Sequence, residues 1–287
     1  KKLFASKIRT IDCTFKTTET LKEGLEKIKN DAEISVREGS TTLVLSDKNI
    51  GTTRANIPMV LAVGAINSHL VNLGLRGYCS INVETSETLD THSFAVLIGV
   101  GATTINPYLT IDSIFQRFEK KLFGELSFND CVLRFKKSIE NGLLKIMSKM
   151  GISVISAYRG GCNFETVGLS RALVSDYFPG MVSRISGIGI KGIEEKIKEL
   201  HEKAFKKDVY ILPIGGIYKY RKSGEEHQFQ GKLIHTLQHA VGSGSYETYK
   251  KYSDGIHGLK PINLRDLLDF RKDKEEIDVK DVEPIQE

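Results

Sequence analysis

An α/β fold of repeated β-α units is what these 287 residues predict, on three observations. Short β-branched or apolar runs (Thr41–Leu45, Cys79–Val83, Ala102–Ile105) are each followed by a helix-period segment, prolines or capping residues stand where those helices would begin, and glycines stand where they would stop. Three such steps in succession imply a parallel sheet, since parallel neighbours need a crossover connection.

The elements follow in order. Thr20 to Glu23 has the capping-box pattern, and Leu21, Leu25, Ile28, Ala32 and Val36 recur at helical spacing until Gly39 can supply a left-handed stop. Thr41–Leu45 reads as a strand, Ser46-Asp47-Lys48 opens a polar loop, and Pro58 starts a helix to Leu73 whose first half (Met59 to Val63) is apolar nearly all round and so should be buried against a sheet. A strand at Cys79–Val83 ends at Glu84, a helix spans Asp90 to Ile98, and a strand at Ala102–Ile105 ends at Asn106-Pro107, where a helix to Phe118 begins. Residues 129–150 make a long helix, Ile152–Ile155 a fourth strand, and Tyr158 to Gly161 a loop.

After a charged helix from Ile190 to Phe205 the pattern changes. Ile217–Tyr220 and Glu226–Phe229 flank Lys222-Ser223-Gly224 as a hairpin would, a helix runs from Leu233 to His239, and a second one holds Tyr246 to Tyr252. The expected division is an α/β core over 1–207, a hairpin and helix annex over 208–256, and a solvated linker over 257–287. The chain has no initiator Met and finishes on an extended, proline-containing stretch, so the expectation is a fragment.

Composition narrows the function classes. With 40% hydrophobic and 27% charged residues the chain can bury a sizeable core. Its formal charge of +5 comes from 41 basic and 36 acidic residues with the lysines scattered, which speaks against nucleic acid. No run approaches the roughly 18 to 20 apolar residues of a membrane span, and no signal-peptide core follows the N-terminus, so a soluble intracellular chain is expected. Cys13, Cys79, Cys131 and Cys162 are far apart with no CxxC pair, which argues against a metal cage or a disulfide framework.

Right-handed crossovers would bring Ser46, Asp47, Glu84, Asn106 and Arg159 together at the carboxyl ends of the strands, where α/β folds place their sites; the same residues could equally be caps of the following helices. Gly187-Ile-Gly-Ile-Lys-Gly192 fits GxGxxG before a helix, but the residues ahead of it, Met181 to Ile185, do not read as a convincing strand, which disfavours a nucleotide. His201-Glu202 lacks the second imidazole of HExxH because position 205 is Phe205, His235 and His239 have no third ligand nearby, and Asp90 beside His92 is as easily a helix cap as a base's orienting acid.

Several strings resemble the central domain of the glutamate synthase large subunit: Leu43–Asp47, Gly99–Leu109, Gly142–Arg159 and Gly242–Ser253, the most specific being Gly142–Ser153 with Ser156–Gly160, and Ser243–Ser253. The resemblance runs over nearly the whole chain. It implies a fold similar to a degenerate TIM-like, FMN-type barrel and a non-catalytic place between a glutaminase domain and an FMN-binding domain of the same chain. FMN and an iron-sulfur cluster would be held elsewhere, none by this segment, and the compartment would be the cytoplasm or a plastid stroma. In that family ammonia passes through an internal tunnel, and Thr10, Asp12 and Thr14 are candidates for its wall. The alternatives are an independent flavin- or phosphate-ligand barrel using Asp47, Glu84, Asn106 and Arg159, and a protein-docking module, which would carry a large exposed apolar patch.

Overall fold

Four strands that each end in a polar side chain form the main sheet: β1 (Ile8–Asp12), β3 (Thr42–Ser46), β5 (Ser80–Glu84) and β6 (Thr104–Asn106). In the computed structural model, which describes residues 7–206 and 214–285, they lie side by side in that order, all parallel. Paired residues of a parallel sheet point to the same face, so the register sorts the side chains. Ile11, Leu45 and Val83 align on one face with Leu43 and Ile81, all at most 2% exposed. On the other face Thr10 aligns with Val44, Asn82 and Thr104, and Asp12 with Ser46, Glu84 and Asn106.

Helices cover the apolar face. The capping box at Thr20 forms as the sequence predicts, with Glu23 returning the bond, and starts α1 (Leu21–Arg37); Gly39 follows it at φ +91°. In α2 (Met59–Asn72), Leu61, Ala62, Val63, Ala65 and Ile66 are buried nearly all round, and Gly74 ends the turn at φ +70°. The helices α3 (Thr91–Gly99, capped by Asp90), α4 (Tyr108–Glu119) and α5 (Phe128–Lys149) stand where the sequence places them. Burial of each large aliphatic side chain in the shared core of sheet, α1 and α2 contributes about 1.5–3 kcal/mol.

The fourth strand expected at Ile152–Ile155 does not form. Gly151 turns the chain at φ +69°, Ile152 packs into a separate small core with Ala95, Met147 and Tyr158, and a short helix α6 (Ile155–Tyr158) begins instead. The run is β-branched, but a strand needs a paired neighbour as well as propensity. Other pairings carry no strong signal in the sequence: β2 (Thr14–Lys16) runs antiparallel to β4 (Arg54–Asn56), and β7 (Glu165–Leu169) runs parallel to β8 (Val182–Ile188), with α7 (Arg171–Tyr177) between them. The charged helix α8 (Ile190–Phe205) is tied back to the start of α1. Glu194 Oε2 accepts the Leu21 N–H at 2.8 Å and Lys198 Nζ donates to the Glu19 carbonyl at 3.0 Å.

The chain divides into two compact units, Lys1–Lys206 and Lys207–Glu287. In the second, no strand forms at Ile217–Tyr220 or Glu226–Phe229, so the hairpin expectation is corrected. Gly215, Gly216 and Ser223 take left-handed φ values of 69°, 107° and 64°, which fold the segment into a tight loop where Glu225 N–H donates to the Gly215 carbonyl. The helices α9 (Gly231–Ser243) and α10 (Tyr246–His257) follow, with Gly244 at φ +63° between them, and residues 259–285 carry only two 3-10 turns. Among the described residues no helix is long and apolar enough to cross a membrane.

Where α2 meets α7 there is no room for a side chain: a Cβ on Gly64 would fall 2.4 Å from the Phe178 ring and 2.7 Å from the Tyr177 carbonyl. Gly64→Val should therefore destabilise the first unit by about 2 kcal/mol or more. Gly77→Ala, which meets nothing within 4 Å, should be close to neutral in the same denaturant titration.

Candidate functional site

The carboxyl edge of the sheet is assembled by a backbone staircase. Cys13 N–H donates to Ser46 O at 2.8 Å, Asp47 N–H to Glu84 O at 3.3 Å, and Thr85 N–H to Asn106 O at 3.1 Å, so each chain leaves its strand bonded to its neighbour's last residue. This brings Ser46, Asp47, Glu84 and Asn106 together as the β-α pattern predicts. Ser46 Oγ donates to Glu84 Oε2 at 2.9 Å, Lys48 Nζ to Glu84 Oε1 at 2.7 Å, and Asn106 Nδ2 to Glu84 Oε1 at 3.4 Å.

Asp47 is fully buried, and its Oδ2 accepts three bonds: from Thr85 Oγ1 (2.8 Å), Ser86 N–H (2.8 Å) and Ser86 Oγ (2.9 Å). Burial, and then the neighbouring Asp47 carboxylate, push the Tyr108 phenol up to about 12, and Lys48 Nζ sits 5.0 Å over its ring. Glu87, in the same loop as Thr85 and Ser86, accepts the Met59 N–H at 2.8 Å and so places a carboxylate at the N-terminus of α2. Tyr108 could have been suspected from its place just after Asn106-Pro107; the roles of Ser86, Glu87 and Arg54 have no sequence signal.

Asp12 and Thr14 form a second knot. Asp12 Oδ1 accepts from Thr14 N–H (3.1 Å) and Oγ1 (2.7 Å), while Arg54 of β4 donates to Asp12 Oδ2 at 2.9 Å and to Thr14 Oγ1 at 2.8 Å. Thr14 is buried, and Thr10 is the member of the trio that is exposed. Arg159 is not at this edge. Without the fourth strand it caps α6, and the adjoining Gly160 N–H donates to Ile98 O in the last turn of α3.

Most of the polar groups at this edge are engaged by neighbours, but Asp47 Oδ1 is buried without a hydrogen-bond partner among the described residues. The nearest thiol, Cys13, is buried, and burial together with the Asp12 and Asp47 charges drives its pKa far up, which makes it a poor nucleophile. Among the described residues no group of three or more His, Cys, Asp or Glu could hold a metal ion. Asp90 is the cap of α3, accepting Ser93 N–H at 2.9 Å, and His201 contacts the Gly51 carbonyl at 2.7 Å while packing on Phe205.

The GxGxxG reading needs a correction, since β8 does precede α8. Two of its three glycines are nevertheless accounted for by packing: a Cβ on Gly187 would meet the Gly168 carbonyl at 2.1 Å, and one on Gly192 would meet Ile188 at 3.0 Å. Closeness of strand to strand requires the first of these glycines and closeness of helix to strand the last, while a Cβ on Gly189 would meet only Ser170 Oγ at 3.5 Å.

Residues 1–170 match the family model described as the glutamate synthase central domain. The chain belongs to this family. It is 51% identical over 278 residues to the glutamate synthase [NADPH] large chain of Azospirillum brasilense, with 96% of this chain aligned to 18% of that one. The corresponding large chain of Bacillus subtilis is 37% identical, with 98% of this chain aligned to 18% of it. The chloroplastic ferredoxin-dependent glutamate synthase of Spinacia oleracea is also 37% identical, with 92% aligned to 17%. The chain thus spans about a fifth of the length of these glutamate synthase relatives.

Removing the Asp47 carboxylate would leave three donors unsatisfied around a buried hole. Asp47→Ala is expected to cost about 3 kcal/mol or more, against about 1 kcal/mol for Lys48→Ala, whose side chain is half exposed. The midpoint of urea unfolding at unchanged slope checks both values.

Proposed function

We propose that the chain is the central, non-catalytic segment of a glutamate synthase large chain, joining a glutaminase domain to an FMN-binding synthase domain and forming part of the wall of the tunnel that carries ammonia between them. The whole protein would convert glutamine, 2-oxoglutarate and a reductant into two glutamates. FMN and an iron-sulfur cluster would be held by other parts of it, in the cytoplasm or a plastid stroma.

One observation carries this reading. The main sheet has an apolar face covered by helices and a second face on which one row, Thr10, Val44, Asn82 and Thr104, carries no charge and no buried side chain, the charged Asp12 and Glu84 lying at its carboxyl end. All-parallel sheets are ordinarily covered on both faces, so such a face suits contact with further protein or an enclosed polar path. Ammonia freed in water at neutral pH is mostly protonated and loses its lone pair, which a dry path lined by neutral groups avoids. The strands also follow sequence order across the sheet in one direction, as in a singly wound barrel, and this supports a degenerate barrel that other parts of the full-length protein would complete.

A role without its own active site fits strand ends whose carboxylates are largely engaged: Asp12 by Arg54, Asp47 Oδ2 by Thr85 and Ser86, and Glu84 by Lys48. Of the three candidate wall residues, Thr10 is the one whose side chain a passing molecule could meet, because Asp12 and Thr14 are bonded to each other and to Arg54.

Thr10→Phe in the full-length protein should uncouple the two reactions, with glutamine hydrolysis continuing while free ammonia rises from a trace to a major product. Tyr218→Ala, in the exposed loop of the second unit, should leave the ratio of ammonia to glutamate as it was. An unchanged ratio in Thr10→Phe would remove Thr10 from the wall.

A further inference from the structure

Outside the main sheet, β7 and β8 pair as a two-stranded parallel ribbon, and each has a free edge among the described residues. The register sets Glu165 against Val182, Val167 against Ile185 and Leu169 against Ile188. Alternate residues of a strand share a face, and so do parallel partners, which puts these six side chains on one side of the ribbon. Two bulges in β8, where the successive partners stand three residues apart, keep Val182, Ile185 and Ile188 on that side.

This side is aliphatic and open. Val167, Val182, Ile185 and Ile188 are 54%, 50%, 47% and 38% exposed, while Leu169 is half-buried and packs against the main core. Glu165, the charged member of the six, stands where β7 begins and pairs with Arg184 at 3.6 Å, so the face carries no unpaired charge. The crossover helix α7 packs on both strands and leaves the four aliphatic side chains exposed, which places it on the opposite side.

Parallel strands ordinarily have both faces covered, and a contiguous row of exposed aliphatic side chains marks a contact surface. The dimensions of the row select its occupant. With strands about 4.8 Å apart, a two-stranded ribbon offers a face about 10 Å wide, the diameter of one α-helix. The seven residues of β8 make it about 20 Å long at roughly 3.3 Å per residue, a length that about four helical turns cover. A helix there completes the helix-sheet-helix layering that parallel strands adopt. The large chains of Azospirillum brasilense and Bacillus subtilis align to this chain over 18% of their length, so most of such a protein lies outside the structure and can supply that helix.

We propose, resting on the reading of this chain as a segment of a longer protein, that the open side of the β7–β8 ribbon seats one amphipathic helix from another part of the full-length large chain. The apolar stripe of that helix would lie on Val167, Val182, Ile185 and Ile188.

Val167→Cys and Ile185→Cys each put a thiol on the open side. Labelling with a bulky maleimide, read on the peptide concerned by mass spectrometry, separates these thiols from the buried Cys13, Cys79 and Cys131 and from Cys162. Both substitutions replace exposed side chains and should leave the Tm of the 287-residue chain unchanged. In that chain both thiols should react at close to the rate of the denatured chain. In the full-length protein they should react about tenfold more slowly or slower still, because a covered thiol reacts only through local opening. Photo-crosslinking benzoylphenylalanine in place of Val167 or Ile185 should then attach to one segment of the full-length protein, at residues three or four apart. Equal labelling rates in the two proteins overturn the docking face and leave the segment reading, which the Thr10→Phe ratio tests separately, as it was. Labelling of the 287-residue chain that slows as its own concentration rises assigns the face to a second copy and overturns the helix. Crosslinks two residues apart, the spacing of a strand, overturn it as well.

Discussion

The buried carboxylate of Asp47 is the interaction on which the carboxyl edge of the sheet depends. It follows β3 and takes three of the donors of the Thr85-Ser86 turn that follows β5, so the two central strands cannot slip relative to one another without leaving the carboxylate and those donors unpaired. The consequences spread outward. With that turn fixed, Glu87 reaches the N-terminus of α2, Glu84 lies between Ser46 and Lys48, and Tyr108 comes to rest against the carboxylate at the start of α4. Register therefore sets the polar edge, and one buried side chain holds the register.

A second constraint is the sorting of the two sheet faces. Leu43, Leu45, Ile81 and Val83 alternate with Thr42, Ser46, Ser80, Asn82 and Glu84, with Val44 the one apolar member of that second set; such alternation is more usual in antiparallel sheets than in parallel ones, whose strands tend to be apolar throughout. The helices can cover only one of these faces. A sequence that keeps hydroxyls and amides on the inner positions of parallel strands forgoes burial energy there, and in a stable fold such a pattern is retained for what those groups contact.

Much of this was readable from residues alone. The capping box at Thr20, the glycines at 39 and 74, and Pro58 and Pro107 bounded helices closely because each acts through local backbone geometry. Where structure depends on a distant partner the reading failed. Ile152–Ile155 has strand composition but no neighbour to bond, whereas Val182–Ile188, interrupted by Ser183, Arg184 and Gly187, becomes a strand because β7 lies beside it. Arg159 was misplaced as a direct result of that false strand. The hairpin failed for a related reason, since the left-handed residues at 215, 216 and 223 curl the segment before a ladder can start. At the candidate edge the pattern gathered Ser46, Asp47, Glu84 and Asn106, but Ser86, which hydrogen-bonds Asp47, lies in a loop with no periodicity to read, and Arg54, which pairs with Asp12, lies in the three-residue strand β4.

What the ends of a sheet leave unsatisfied indicates where a ligand could act. Parallel α/β folds usually place their sites at the carboxyl ends of the strands, where loops and helix N-termini converge. Here that edge is filled by its own side chains: three hydroxyl or amide donors on Asp47, a lysine, a serine and an amide on Glu84, and an arginine on Asp12. Electrostatic recognition draws on groups that are positioned yet unpaired, because a group already bonded must first lose its partner. On that argument the polar carboxyl edge acts as a clasp that fixes the sheet, its groups bonded to one another.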